Sequence, residues 1–215
     1  ADILLFIDDD IILESQFIWE LEQAYVKYNM DGVGGAIRLS MNRSPIFHLV
    51  SLIFRLGPFW DERLALLGDT CDRRDIRFTW LMSGGLSSYK RTVFDKVKFN
   101  EELLRASPME DLDFHSRARL AGPFRFGLVP RARALHNFSP INRLNLRDFY
   151  FAKTQVYTTY FRQFVPRTFV NWLAYYWLSI GLMLDALGRV VIGDGWGPVQ
   201  GVWAVWQLAR RGFGE

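Results

Sequence analysis

The chain has 215 residues, half of them hydrophobic and 16% aromatic, so one domain with an appendage and a sizeable core is the natural reading and pervasive disorder is excluded. A net charge of +3, interspersed along most of the chain, does not mark a nucleic-acid binder. The single cysteine, Cys71, excludes an intramolecular disulfide and any multi-cysteine zinc site, and a reducing compartment is allowed.

The chain opens with Ala1-Asp2 directly before an apolar run, which reads as a piece of something longer. That run, Ile3-Leu4-Leu5-Phe6-Ile7, fits a strand buried on both faces in a parallel sheet covered by helices. It ends in Asp8-Asp9-Asp10, at the strand end where such sheets bind ligands. If strand conformation persists, Asp8 and Asp10 point to one side and Asp9 to the other. Three adjacent carboxylates repel, and Mg²⁺ or Mn²⁺ offsets the repulsion while bridging phosphate oxygens. The plainer alternative is a solvated strand-to-helix turn with one Asp as a cap.

Glu14 to about Tyr28 has Phe17, Ile18, Leu21, Ala24, Tyr25 and Tyr28 at helical spacing, ended by Asp31-Gly32. Val33 to Leu39 suits the next strand. Pro45 to Leu56 is apolar and compatible with helix, while Asp61 to Asp75 is charged and reads as a loop, the place for substrate-specific variation. Ile76 to Met82 alternates as a strand and meets Ser83-Gly84-Gly85, a tight turn whose glycines allow close backbone approach to a ligand. A short helix over Tyr89 to Val97 follows.

The next helix is predicted from Pro108 to Ala121, with Glu110, Asp111 and Asp113 in its first turn and Gly122 as the stop. Acidic first turns are common in purely structural helices. An ionised Asp111 at a ligand-facing helix start is also suited to accept a proton from an attacking hydroxyl. Phe124, Phe126 and Leu128 alternate as a strand, and Arg131 to Asn137 continues toward the same edge with His136 near its end. A lone His there is a structural residue or, beside a carboxylate pair, an imidazole ligand suited to Mn²⁺.

Asp8-Asp9-Asp10 after an apolar strand, Ser83-Gly84-Gly85 before Lys90-Arg91-Thr92-Val93-Phe94, Phe99-Asn100-Glu101-Glu102-Leu103, Glu110-Asp111-Leu112-Asp113 with Arg117 and Gly122, and then His136 form an ordered set that resembles the family 2 glycosyltransferases. The resemblance runs from about Asp2 to Phe164 and implies an α/β fold of the GT-A type. That fold is Rossmann-like, a mostly parallel sheet flanked by helices, here amino-terminally truncated. It also implies a nucleotide-sugar donor, a divalent metal, Mn²⁺ or Mg²⁺, and inversion at the anomeric carbon. By motif position Asp8, Asp9 and Asp10 fall at the donor, with Asp8, Asp10 and His136 at the metal. Asp111 takes the place of the base, and Gly84, Gly85 and Glu110 line the acceptor side. The processive members' Gln-x-x-Arg-Trp motif is not matched by Gln163-Phe164-Val165-Pro166-Arg167, which favours transfer of a single hexosyl or deoxyhexosyl unit.

Residues 1–165 are thus read as the carboxyl-terminal portion of a catalytic domain and 166–215 as an apolar, Trp-rich, membrane-associated helical region. Phe149 to Phe164 carries aromatics at helical spacing. Phe169 to Leu184 is almost wholly apolar but short of the roughly 20 residues of a span, and an extension to Ile192 would enclose Asp185 and Arg189, four apart and able to pair. Gly193-Asp194-Gly195 breaks the pattern before Val199 to Ala209. Tryptophans and flanking Arg162, Arg167, Arg210 and Arg211 suit the headgroup region and a cytoplasmic membrane face. A saccharide or lipid-linked acceptor for cell-envelope glycan follows from that placement. An aspartate-nucleophile phosphatase using Asp8 and Asp10, disfavoured by Ile11-Ile12 after them, and a non-catalytic membrane-bound scaffold are the rival readings.

Overall fold

A computed structural model of the chain describes residues 2–39, 52–61, 75–101, 110–137 and 144–212. Pro45, most of the Asp61 to Asp75 stretch with Cys71, the Glu102-Leu103 end of one motif, and Pro108 lie outside the described residues. The chain divides into two compact units. One is formed by 1–42, 61–101 and 110–139, the other by 43–60, 102–109 and 140–215.

The first unit is built on a six-stranded sheet. Its strands are β1 (Ile3–Ile7), β2 (Ile11–Leu13), β3 (Gly32–Leu39), β4 (Arg77–Phe78), β5 (Leu86–Lys90) and β6 (Phe126–His136), in the order β1-β5-β3-β6-β2 with β4 also on β6. Among the described strands only β3 and β6 run parallel. The pairs β1·β5, β3·β5, β2·β6 and β4·β6 are all antiparallel.

This overturns the expected mostly parallel, Rossmann-like GT-A sheet. The reason lies in β5, which leaves the Gly84-Gly85 turn and runs between β1 and β3 against both, with Ile7 opposite Leu86 and Val33 opposite Ser88. Nor is β1 buried on both faces, since Ile3, Leu4 and Ile7 are all exposed. Tyr89 and Lys90, expected at the start of a helix, belong to β5, and only Arg91–Phe94 (α2) turns helical. The strand expected over Ile76 to Met82 shrinks to β4. In β6 the pairing with β3 jumps from Gly35–Val129 to Ala36–Arg133, a bulge that holds Pro130, the residue with no N–H to give to a ladder.

Two longer helices pack on this sheet besides α2. Helix α1 (Phe17–Tyr28) buries Phe17, Leu21, Ala24 and Tyr25, one face at three- and four-residue spacing, and ends at Asn29 in the left-handed conformation. They pack with Val33, Leu86, Val129 and Ala134 of the sheet. Helix α3 (Glu110–Ala121) buries Phe114 and Ala118 in a second core with Tyr89, Val93, Phe126 and Leu128. Phe114 stacks on Phe99 at 4.4 Å between ring centroids.

The second unit holds α4 (Leu146–Phe164), α5 (Phe169–Val191) and α6 (Gly197–Gly212). Asn145 caps α4 by accepting from the Asp148 amide at 2.9 Å, and Thr168 caps α5 through the Asn171 amide. Gly201 lets α6 lie directly on the Arg147 carbonyl of α4, a contact with no room for a Cβ. Around Phe59 stand Tyr157, Tyr160, Phe161 and Tyr175.

The apolar stretch from Phe169 does not stop at Leu184. It continues through Asp185 and Arg189 to Val191. Lys153 of α4 meets Asp185 at 3.1 Å, and Arg189 meets Asp194 at 3.1 Å. Among the described residues no helix is long and apolar enough to cross a membrane, which removes the membrane-spanning form of the expected carboxyl-terminal helices. Arg162, expected at a headgroup, donates instead to the Ala209 carbonyl at 3.1 Å.

Candidate functional site

Strand β1 does not persist into its acidic end. The chain turns at Asp9-Asp10, closed by the Ile11 amide donating to the Asp8 carbonyl at 3.2 Å, and leaves as β2. Asp8 and Asp10 therefore converge through a turn rather than through strand alternation. His136 ends β6 directly opposite Ile11, and the Asn137 amide donates to the Asp10 carbonyl at 2.8 Å. The antiparallel β2·β6 pair thus sets the imidazole beside the aspartates.

The consequence is a three-residue cluster. Asp8, Asp10 and His136 each offer a ligand atom, all within 4.8 Å of one another, with Asp8 exposed and the other two half-buried. His136 Nε2 stands 2.8 Å from an Asp10 carboxylate oxygen. Two carboxylates and an imidazole are a donor set for Mn²⁺ or Mg²⁺ and not for a soft, thiolate-seeking ion.

Asp8 lies over the glycine turn. Its amide donates to the Gly85 carbonyl at 3.0 Å, and its carboxylate fills the space in which a Gly85 side chain would stand. Gly85 is not in a left-handed conformation, so what demands glycine there is room for the carboxylate. Gly84 abuts Glu110, whose carboxylate would lie 3.1 Å from a Cβ at that position, and the Asp111 Cβ follows at 3.6 Å. The glycine pair expected to line an acceptor thus lies between Asp8 on one side and the start of α3 on the other.

Electrostatics tie the same residues together. Partial burial pushes the Asp8 carboxyl above the usual range, and the charges of Asp10, Asp9 and Asp111 push the same way against the opposing pull of His136. Burial also raises Glu110, with Asp111 and Asp8 adding to it while a backbone hydrogen bond opposes. Both carboxyls thus feel Asp111, and Glu110 also feels Asp8. The acidic residues of the turn and of the α3 first turn share one rim, where their repulsion favours a cation. Asp9 is exposed and outside the three-atom cluster.

Asp111 is buried, and one of its carboxylate oxygens accepts from the Leu112 amide at 2.8 Å. Sequence reasoning passed over what lies beneath it. His115, fully buried, has Nδ1 2.7 Å from the Asp111 carbonyl and Nε2 3.2 Å from the Tyr89 hydroxyl. A carbonyl only accepts, so Nδ1 carries a proton, and Nε2 faces the Tyr89 hydroxyl. The first turn of α3 is thereby tied to β5. The four-residue Asp111-to-His115 spacing on a helix with acidic residues at its start was the available signal. Arg117, another motif residue, pairs with Asp113 at 2.6 Å along the helix surface.

Because the Gly85 requirement is spatial, Gly85→Ala is expected to keep the fold while displacing the Asp8 carboxylate. The expected result is at least a tenfold weaker Mn²⁺ affinity, of the order seen when groups supporting a metal site are lost. Calorimetric titration of Mn²⁺ into both proteins checks this, and equal affinities would separate Asp8 from the site.

The chain matches no known protein-family model, and no curated protein is similar to it.

Proposed function

We propose that this chain carries the metal and acid–base centre of an inverting glycosyltransferase, passing one sugar from a nucleotide-sugar to a hydroxyl of a saccharide or lipid-linked acceptor. The observation that carries the reading is the meeting of Asp8, Asp10 and His136 at one rim with Glu110 and Asp111, across the Gly84-Gly85 turn. The reading rests on these side chains and not on the sheet.

Asp8, Asp10 and His136 would hold a divalent cation, which when bound neutralises the departing nucleoside diphosphate. Asp111 would accept the acceptor's hydroxyl proton as that oxygen forms its bond to the anomeric carbon and the bond from carbon to diphosphate oxygen breaks. Attack from the face opposite the leaving group inverts the configuration and leaves no covalent enzyme intermediate. The nearly dry setting of Asp111 strengthens its interaction with the developing positive charge on the attacking oxygen.

The test is Mn²⁺-dependent release of nucleoside diphosphate from a panel of nucleotide-sugars with saccharide acceptors, together with the anomeric configuration of the product. Phosphate release from monoesters under the same conditions, without sugar transfer, would instead establish the phosphatase alternative.

The acceptor side of the proposal includes peripheral contact with a membrane. Phe169, Leu173, Tyr176, Ile180, Leu184, Leu187 and Val191 are all exposed on α5 and follow one another at three- and four-residue spacing, an unbroken apolar stripe. Exposed Arg167 stands just before it and suits the anionic cytoplasmic leaflet. A helix of this kind lies in the interface plane rather than spanning it. Leu173→Glu/Ile180→Glu is expected to cut co-sedimentation with anionic phospholipid vesicles at least tenfold while leaving the circular dichroism spectrum unchanged. Equal binding by both proteins would remove the membrane from the proposal.

A further inference from the structure

At the opposite end of α3 from the acidic rim, a cleft of about 560 Å³ is lined by Phe78, Trp80, Arg119, Pro123, Phe124 and Arg125 among others. All of its lining belongs to the first unit. Nine residues of α-helix between Glu110 and Arg119 rise about 13 Å, so the cleft is separate from the acidic rim. Its volume falls in the range that holds a compact small molecule, about 300–1,000 Å³.

Two guanidinium–aromatic stacks stand in its walls. The Arg119 guanidinium lies over the Trp80 ring at 4.9 Å, and that of Arg125 over the Phe78 ring at 5.7 Å. Stacking engages the flat face of a guanidinium and leaves its edge N–H groups available for an oxyanion. Among the described residues neither guanidinium meets a carboxylate, and no acidic residue lines the cleft. Phe124 and Phe126 stack on each other at 5.7 Å and add a flat apolar wall. Lys96, whose ammonium lies close to Gly122 on the same lining, adds positive charge.

Two cations held on aromatic rings beside an apolar wall match a ligand that presents a flat ring and an oxyanion on one small body. We propose that this cleft binds a nucleoside phosphate, its base against the aromatic and guanidinium planes and its phosphate at the guanidinium edges. Inorganic phosphate meets only the second requirement and a neutral nucleoside only the first. The inference does not depend on sugar transfer at the acidic rim.

The experiment is titration calorimetry in EDTA with the Asp10→Asn protein, so that no nucleotide is held through a metal at the acidic rim. Uridine and adenosine monophosphates, the corresponding nucleosides and inorganic phosphate are the probes. The expected result is saturable binding of a nucleoside monophosphate at least tenfold tighter than either fragment. Arg119→Gln/Arg125→Gln is expected to weaken it at least tenfold, and Trp80→Leu to weaken it severalfold. Arg119 and Arg125 are exposed, so their replacement leaves the core intact, and thermal melts of each variant verify this. The proposal is overturned by absence of saturable binding at millimolar nucleotide, by phosphate binding as tightly as the nucleotide, or by equal affinity in the folded double-arginine variant.

Discussion

Asp10→Asn is expected to weaken Mn²⁺ binding at least tenfold and to lower kcat/KM for sugar transfer by about 10²-fold or more, several kcal/mol of charge stabilisation. The carboxylate stands 2.8 Å from the His136 imidazole and would also hold the cation. His136→Ala should act in the same direction with a smaller loss, since two carboxylates remain. Titration followed by the electron paramagnetic resonance signal of free Mn²⁺ reads the affinity directly. Unchanged Mn²⁺ affinity in both variants would leave the cluster an ordinary ion pair in a turn.

The same site makes a pH prediction. Asp8 is an acid whose folded pKa is raised, chiefly by burial and then by its acidic neighbours. The folded chain therefore holds that proton more tightly than the unfolded chain, and the contribution of Asp8 to stability falls as pH rises from the unfolded carboxyl value through the raised one. Above that range the metal-free protein carries the cost of the buried, crowded charge in full. Asp8→Asn is then expected to raise the Tm of the metal-free protein by up to about 3 °C, an exposed group being worth little, while abolishing the Tm increase produced by added Mn²⁺. Mn²⁺ affinity of the unaltered chain is expected to rise with pH across the raised Asp8 carboxyl range, because a protonated carboxyl is no ligand.

Much of this site could be read from residue order. Asp8 and Asp10 after an apolar strand, a glycine pair, an acidic helix start and a His at a strand end are each local patterns, and local patterns survive any arrangement of the sheet. Strand direction is different. Ile3 to Ile7 look the same whether a parallel neighbour covers them or an antiparallel one leaves an edge open, because periodicity records burial and not pairing. Asp8 and Asp10 were expected to converge through strand alternation, yet a turn closed by the Ile11 amide brings them together. Tyr89 was hidden for a related reason. Leu86 to Lys90 is too short for its period to separate a strand from the first turn of a helix, and burial of Tyr89 beside Phe114 and His115 decided the matter. The guanidinium stacks of the cleft join residues 39 and 47 apart, distances that no spacing rule covers.

Asp111→Asn separates proton transfer from metal binding. The amide still accepts from the Leu112 amide and keeps the shape of the first turn, while its capacity to take a proton is gone. A fall in kcat of about 10²–10⁴ is expected, the usual worth of a general base, with Mn²⁺ affinity and donor KM within about twofold of the unaltered chain. Loss of a merely structural carboxylate would instead lower Tm and disturb His115 and Tyr89 beneath it, leaving kcat of the folded fraction unchanged. Asp111→Glu sharpens the distinction, since it restores the proton acceptor at an altered reach and should recover part of kcat. The tie from His115 to the Asp111 carbonyl makes a further contrast available. His115→Phe, which keeps the volume but removes the imidazole's bonds to the Asp111 carbonyl and the Tyr89 hydroxyl, should cost about 1–3 kcal/mol of stability and reduce kcat only as far as the α3 first turn loosens. If Asp111→Asn retains kcat while Asp10→Asn loses it, the acidic rim binds a metal but the proton leaves by another route.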